Sequence, residues 1–337
     1  MASFISFAVI GCGNIGKRHA LHVHNKARLS AVCDIDIVKA KAIGEQFDAL
    51  VYSSISDVLS KVLNIDVIAI CTPNGLHASQ TIQCLQAGYH VICEKPMAIS
   101  SIDCRKMIAA SEHYNKHLFI VKQNRFNKAV VEVKKALDQQ ALGRILSFQI
   151  NCFWNRNEDY YRNSWHGTKE LDGGTLFTQF SHFIDILYWF LGDVTEVQSY
   201  LQNRSHKASI AFEDTGAVIL YMKNGAIGTL NYTVNTYKEN MEGSFTLFGE
   251  RGTVKIGGQY LNTIQFQNIQ DYTLPTVSEQ NKANDYGSFK GSMSNHDKVY
   301  QNVIDVLKNG ATISTNAYDG LKTVEIIEKI YAANILK

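Results

Sequence analysis

The chain has 337 residues, enough for roughly two domains at about 150 residues each. Hydrophobic residues make up 45% and charged residues 19%, the profile of a globular chain that needs neither disulfides nor metal to fold. Lys and Arg total 33 against 31 Asp and Glu, and this near-balance argues against the clustered basic footprint of a nucleic-acid binder. The 7 cysteines are odd in number and form no CxxC pair, which reads as reduced thiols of a cytoplasmic protein. No apolar run approaches the ~20 residues of a membrane helix, so no membrane partner is expected. The apolar start, Met1 to Gly13, lacks a basic segment and runs straight into a glycine loop; it reads as a first strand and not a signal peptide.

Phe4–Ile10 is a short apolar run ending at Gly11, and Asn14–Asn25 reads as a helix. Leu29–Cys33 is the next strand, followed by a helix from about Asp36 to Phe47. Asp66–Cys71 is a strand and Leu76–Ala87 a helix, with Gly88 where a helix commonly ends. His90–Cys93, Ser101–Tyr114 and Leu118–Val121 continue the alternation. Short apolar strands between helices predict βαβ units and a parallel sheet covered on both faces.

After residue 122 the texture changes. A helix over Lys128–Gln139 precedes Tyr/Phe/Thr-rich alternating stretches at Ile145–Phe153, Thr195–Gln202, Ala217–Lys223, Ala226–Val234, Gly243–Phe248 and Thr253–Ile256. Turn dipeptides such as Asn224-Gly225 and Gly257-Gly258 break them, which predicts a largely antiparallel sheet. Helices return at Leu176–Leu191, His296–Lys308 and Tyr318–Leu336. The expectation is α/β: a parallel-sheet Rossmann domain over residues 1–122 and an α+β substrate domain with a large antiparallel sheet over 123–337. Phe148, Ile150, Phe153, Leu230 and Tyr232 look too apolar for a wetted sheet face, so a homo-oligomer through that face is expected.

Gly11-Cys12-Gly13-Asn14-Ile15-Gly16 is G-x-G-x-x-G between a strand and a helix. Gly11 permits the tight turn, Gly13 lets the backbone approach a pyrophosphate, and Gly16 lets helix pack on strand. The helix N-terminus then offers N–H groups to the phosphates. Asp34 ends the second strand, near the expected offset of about 20, where a carboxylate accepts ribose hydroxyls. No Arg follows at 35–38 to receive a 2′-phosphate, so the cofactor expected is NAD and not NADP.

Two further strands end in polar clusters, Thr72-Pro73-Asn74…His77 and Glu94-Lys95-Pro96. Ligands of open parallel sheets bind beyond such strand ends. Lys95 there is either a donor to a substrate oxygen or a solvated lysine paired with Glu94; position alone leaves both open. In Gly173–Leu191, Leu176, Phe180, Phe183, Leu187 and Leu191 make one apolar helix face. Thr178, His182 and Asp185 share another, and the Gly173-Gly174 pair allows close approach of backbone to a ligand. His182 is either a general base or a buried packing histidine. The His19/His22/His24 cluster lacks neighbouring Cys or acid ligands and reads as a helix face, so no metal is expected.

In order along the chain, G-x-G-x-x-G, Thr72-Pro73-Asn74…His77, Glu94-Lys95-Pro96 and Gly173-Gly174…His182…Asp185 resemble the glucose–fructose oxidoreductase / inositol dehydrogenase / rhizopine catabolism (Gfo/Idh/MocA) family. The resemblance covers essentially the whole chain. It implies hydride transfer between a nicotinamide and a secondary alcohol of a sugar or cyclitol, with Lys95 at the active site. The family has Asp four residues before the histidine; Thr178 stands there, which puts the usual Asp–His relay in doubt. Residues 173–185, with Gln123–Asn127 and Trp165–Thr168, are similar to one branch, the bacterial UDP-N-acetylglucosaminuronate 3-dehydrogenases. That likeness implies oxidation of the C3 hydroxyl of a UDP-sugar for lipopolysaccharide O-antigen, a downstream aminotransferase, and recycling of reduced cofactor by 2-oxoglutarate.

The site assembled on these grounds places NAD on Gly11, Gly13, Asn14, Ile15, Gly16 and Asp34. Thr72, Asn74, His77, Glu94, Lys95 and Gln123 are expected around its nicotinamide half. Lys95 and His182 are the catalytic pair. Lys95, Arg125, Tyr160, Trp165, Thr178 and His182 are the expected substrate contacts. Arg125 is the cation chosen over Arg156, Arg162 and Lys169 for the anionic groups of a UDP-uronate. Asn155 and Tyr161 are lesser candidates to line a sugar or uracil pocket, and His296 and Tyr300 to face the nucleotide. Another sugar or cyclitol dehydrogenase of the family, and a non-catalytic NAD-sensing protein, are the alternatives.

Overall fold

The computed structural model describes residues 4–62, 64–162, 164–277, 283–287 and 289–335. The chain divides into two compact units, Met1–Lys122 with His296–Val324, and Gln123–Asn295 with Glu325–Lys337.

The first unit begins β1 (Ser6–Ile10), α1 (Asn14–Lys26), β2 (Arg28–Cys33), α2 (Ile37–Phe47), β3 (Leu50–Tyr52), α3 (Ile55–Lys61) and β4 (Val67–Ile70). It continues α4 (His77–Gln86), β5 (His90–Cys93), α5 (Ser101–His113) and β6 (Leu118–Ile120). The six strands pair in parallel in the order β3-β2-β1-β4-β5-β6. Strand order reverses between β1 and β4, so their carboxyl ends open the crevice where α/β sheets bind ligands. The central strands are buried throughout, as helices on both faces require. On α1 the buried residues Gly16, His19, Ala20 and Val23 recur at three- and four-residue spacing, one stripe facing the sheet. Asp36 caps α2 by accepting from the Val38 N–H at 3.1 Å. Gly88, just past α4, has φ +90°, where glycine carries no side-chain penalty. The short β3 and α3 were not expected from sequence.

The second unit holds α6 (Lys128–Asp138), β7 (Ile145–Phe153), α7 (Glu158–Tyr161), α8 (Ser181–Leu191), β8 (Val194–Gln202), β9 (Thr215–Met222) and β10 (Ile227–Thr233). β11 (Glu242–Gly249), β12 (Gly252–Gly257), β13 (Thr263–Ile269), β14 (Ala283–Asp285) and β15 (Lys290–Met293) follow. Seven strands form one sheet, β13-β12-β11-β7-β10-β9-β8, antiparallel except where β10 runs parallel to β7. α8 is covered all round, its side chains buried from Ser181 to Leu187. Phe180, just before it, packs on Tyr232, and Phe190 on Phe245. The expected single helix Leu176–Leu191 is two pieces: Leu176–Phe180 winds as a π-turn and α8 begins at Ser181. The wider turn inserts a residue, so Thr178 and His182 do not stack as a 3.6-residue repeat would place them.

Four of the five residues expected on an open sheet face, Phe148, Ile150, Leu230 and Tyr232, point inward and are buried by the chain itself. Only Phe153 has the opposite parity, and a strand's two faces alternate strictly. The outward face carries another apolar set, Tyr200, Ile219, Tyr221, Ile227 and Phe248, each 40–53% exposed.

Two last helices, α9 (His296–Asn309) and α10 (Ala317–Ala332), complete the chain. The sequence boundary assigned everything after 122 to the second domain, but α9 belongs to the first unit. Its Tyr300 ring meets Phe7 of β1 edge-on at 5.5 Å, and its hydroxyl lies 2.7 Å from His19 Nδ1. The expected helix end at Leu336 lies outside the described residues. Among those residues no helix is long and apolar enough to cross a membrane. All seven cysteines are buried and none is joined in a disulfide, and burial pushes the Cys12 and Cys84 thiols up to about 12, so neither is a thiolate at neutral pH.

Candidate active site

In the first unit the glycine loop has three different geometries. Gly11 has φ +93°, and a Cβ there would lie 2.6 Å from the Cys71 carbonyl oxygen. A Cβ on Gly16 would lie 1.8 Å from the Gly11 carbonyl oxygen. A Cβ on Gly13 would meet no atom within 4 Å, so this stretch of backbone faces open space. α1 starts beside it with no side chain capping its N–H groups and no acid in its first turn. Open backbone before an uncapped helix N-terminus fits a pyrophosphate. Asp34, at the end of β2, is held by the Cys12 N–H at 2.6 Å and the Asp36 N–H at 2.8 Å. Ile35, beside it and 96% exposed, offers an apolar surface for a base that sequence reasoning did not single out. These residues fit a dinucleotide with unphosphorylated ribose.

The Glu94-Lys95-Pro96 loop is fastened from two sides. Glu94 is buried; its Oε1 accepts from His19 Nε2 at 2.7 Å and its Oε2 from the Lys95 N–H at 3.0 Å. Burial opposes ionisation, but hydrogen bonds from His19 and His296 outweigh it and hold the carboxyl well below the usual carboxylate range. His77 closes the other side, its Nδ1 2.8 Å from the Pro96 carbonyl oxygen and its Nε2 2.9 Å from that of Thr72. Glu94 and His77, expected as cofactor contacts, are therefore occupied in positioning the loop that presents half-buried Lys95. Thr72 donates to Gln80 Oε1 at 2.6 Å, and Asn74 is buried in the turn before α4. His296 and Tyr300, expected near the nucleotide, are buried against His19. The acid that the His19/His22/His24 cluster lacks in sequence arrives as Glu94: the ligand atoms of His19, Glu94 and His296 lie within 4.8 Å of one another. Burial, with the like charges of His296 and His19, pushes His22 down to about 4, while exposed His24 fits the surface reading.

In the second unit His182 opens α8 and is buried. Its Nε2 lies 3.3 Å from Gln123 Nε2 and 3.4 Å from Ser292 Oγ, which itself accepts from Gln123 at 3.0 Å. An amide NH₂ only donates, and the Ser292 hydroxyl proton is left for the ring. Both contacts place a lone pair on His182 Nε2, as a proton acceptor requires. Gln123, expected at the nicotinamide, thus stands beside His182, and its buried Oε1 has no hydrogen-bond partner among the described residues.

Thr178 does not offer its hydroxyl to a substrate as expected; it donates to the Asp172 carboxylate. Asp172 is buried and also accepts from the Gly167 N–H at 2.8 Å. Its carboxylate lies where the sequence has none to show near Thr178. Gly174, expected to admit a ligand, admits Tyr331: a Cβ there would lie 2.2 Å from its hydroxyl oxygen. Tyr331 in turn donates to Glu213 at 2.7 Å and accepts from the Leu176 N–H at 3.2 Å, so this network fixes the start of the π-turn.

Arg125, the cation chosen for the substrate, is spent internally. Its Nε and Nη2 clasp Asp185 at 2.8 and 2.7 Å, both side chains 4% exposed. A bidentate pair satisfies the guanidinium fork. Arg162 is exposed and pairs with Asp159. Arg156 is buried, with its Nε donating to Gln179 Oε1 at 2.8 Å. Gln179 Nε2 donates in turn to the Tyr160 hydroxyl at 2.7 Å. Tyr160 stacks on His166, which Trp165 flanks, and the Tyr160 ring centroid also lies 5.2 Å from the Arg156 guanidinium carbon. Gln179 and Ser292 were missed because their partners Arg156 and His182 lie 23 and 110 residues away, and Asp172 because its six-residue separation from Thr178 matches no helical spacing.

A parallel sheet in Rossmann order, with a pyrophosphate cradle and a ribose acid, defines an NAD-dependent dehydrogenase. The comparisons agree. Residues 5–122 match the oxidoreductase family with an NAD-binding Rossmann fold, and residues 130–255 match the Gfo/Idh/MocA C-terminal domain. The chain belongs to the Gfo/Idh/MocA family, and its relatives include named sugar and cyclitol dehydrogenases. It is similar to the WlbA dehydrogenase of Bordetella pertussis, solved with NADH and UDP-GlcNAcA, at 35% identity and TM-score 0.88, covering 98% of this chain and 96% of that one. The Chromobacterium violaceum WlbA structure with the same ligands is 37% identical at TM-score 0.87, covering 99% and 94%. An inositol 2-dehydrogenase/D-chiro-inositol 3-dehydrogenase of Halalkalibacterium halodurans is 28% identical over 68% of this chain and 66% of that protein.

Proposed function

We propose that the chain oxidises the C3 hydroxyl of UDP-N-acetylglucosaminuronic acid to the 3-keto sugar. The observation that carries this reading is the full-length likeness to two dehydrogenases solved with that sugar nucleotide. NAD, when bound, supplies the hydride acceptor. The uncapped start of α1 and the open backbone at Gly13 hold its pyrophosphate, and Asp34 takes the adenosine ribose. His182 Nε2 accepts the proton of the reacting hydroxyl. Lys95 donates to the same oxygen and stabilises its developing charge. The unpartnered Gln123 Oε1 receives a substrate hydroxyl or amide.

The pathway reading is lipopolysaccharide O-antigen synthesis in the cytoplasm, with an aminotransferase acting on the ketone and 2-oxoglutarate reoxidising NADH. The assembly reading is a homo-oligomer, tetramer or dimer, through the apolar outward sheet face. Sedimentation as a monomer at micromolar concentration would count against it.

The test mixes purified protein, NAD and UDP-N-acetylglucosaminuronate with and without 2-oxoglutarate, following nicotinamide absorbance and sugar mass. A loss of two mass units from the sugar, sustained only with 2-oxoglutarate, is the expected result. No oxidised sugar in either condition would remove this substrate. The inositol dehydrogenases among the relatives support a second reading, a free sugar or cyclitol substrate. Such an enzyme turns over without a nucleotide and ignores UDP as a competitor.

A further inference from the structure

We infer that Arg156 is the anion receptor of the substrate site and that its guanidinium binds the carboxylate of an acidic sugar. The inference rests on the sugar-nucleotide reading above and names the group that would select the acid.

The second unit contains two arginines that are buried to the same degree, and only one is neutralised. Arg125 has Asp185. Arg156 is 3% exposed, and among the described residues every acceptor it reaches is neutral. These are Gln179 Oε1 at 2.8 Å, Asn240 Oδ1 at 3.3 Å, the Asn155 carbonyl and the Tyr160 hydroxyl. Trp154, Tyr160 and Phe289 present ring centroids 5.0–5.2 Å from its guanidinium carbon. Aromatic faces offset part of the desolvation of a cation without cancelling its charge. A buried charge without a counter-ion is costly, and in folded proteins such charges are paired or bind a ligand. Burial pulls Arg156 below the usual guanidinium value, with the surrounding tyrosines opposing.

The donors suit a carboxylate. Nε and Nη1 are engaged by Gln179, Asn155 and Asn240, the neutral Tyr160 hydroxyl is the remaining hydrogen-bond partner among the described residues, and none of these is a carboxylate. The planar fork matches a planar carboxylate. The receptor is also tied to the base. Gln179, which fixes both Arg156 and Tyr160, stands three residues before His182, in the π-turn that leads into α8. A substrate acid held at Arg156 is thereby registered against His182.

Calorimetry on the NADH-loaded enzyme, with UDP-N-acetylglucosaminuronate and UDP-N-acetylglucosamine as probes, tests this. Both carry the diphosphate; only the first carries the carboxylate. Wild type is expected to prefer the acid by about 30-fold or more. Arg156→Gln is expected to lower that preference below about threefold while changing the affinity for the neutral sugar little. Taking the ratio within one variant cancels a general loosening of the site. An Arg156→Gln enzyme that keeps the wild-type preference overturns the inference. If that variant does not fold, Arg156→Lys decides: the charge without the fork should cut the preference about tenfold, and an unchanged preference overturns it. If wild type binds neither UDP sugar, the functional reading fails by itself. D-glucuronate against D-glucose, on wild type and Arg156→Lys, then decides Arg156, and an absence of preference for the acid overturns it.

Discussion

At the carboxyl ends of β1 and β2, recognition falls to the backbone; around His182 it falls to buried side chains. The first region is three glycines, a helix start and one carboxylate, all within 24 residues of sequence. The second joins Gln123, Arg156, Asp172, Gln179, His182 and Ser292, residues that meet only after folding. A cofactor shared by many dehydrogenases is served by geometry that any side chains can surround. A particular sugar is served by a particular set of side chains, each fixed by another.

Gly16→Val would break the first region most severely. Its Cβ would sit 1.8 Å from a main-chain oxygen that cannot rotate away, so a loss on the order of 5 kcal/mol is expected. Thermal melting with and without NADH should show an unfolded or cofactor-deaf protein. Next come the two chemical groups. His182→Asn and Lys95→Ala should each lower turnover about 10²–10⁴-fold with NAD binding intact, and wild-type turnover in both would refute their roles.

Glu213 sharpens the second region through pH. Burial pushes its carboxyl up to about 7, against about 4.3 in an unfolded chain, although Tyr331 and Tyr232 donate to it. The folded protein keeps a proton that the unfolded chain releases. The contribution of Glu213 to stability is therefore greatest below about pH 4, falls by about 4 kcal/mol as pH rises to about 7, and is level beyond. Glu213→Gln should flatten the melting temperature across that window; an unchanged slope would remove Glu213 as its source. The smallest expected effect is at Asp34. Asp34→Ala should weaken NADH binding about 10–100-fold, the value of one or two charge-assisted hydrogen bonds, and narrow discrimination against NADPH in fluorescence titrations.

The contrast between the regions also explains what sequence could reveal. The parallel alternation of strands and helices, the glycine loop and Asp34 were legible because local turn chemistry and strand alternation encode them. Arg125 and Arg156 were not distinguishable, because Asp185 lies 60 residues from the one and Gln179 lies 23 from the other. Apolar spacing over 176–191 gave a helix but hid the π-turn, since residues buried on every side carry no periodicity to betray an inserted one. Glu94 and His77 were expected to face the cofactor, and the hydrogen bonds that occupy them were not legible, because their partners His19 and Pro96 come from other segments. The sheet residues were misassigned by parity, a two-residue alternation that a list of apolar residues does not preserve.

The return of α9 to the first unit has a consequence for biosynthesis. A ribosome delivers Met1 to Lys122 early, with Phe7 and His19 still without Tyr300. The His19 side of α1, which Tyr300 and His296 of α9 cover, stays wet until the far end of the message has been read. A nascent chain therefore carries an unfinished cofactor unit through the whole synthesis of the sugar unit. Stop codons or proteolytic nicks late in the chain should damage the fold of its beginning. A stand-alone cofactor domain would need 296–324 joined to residues 4–122 in one chain.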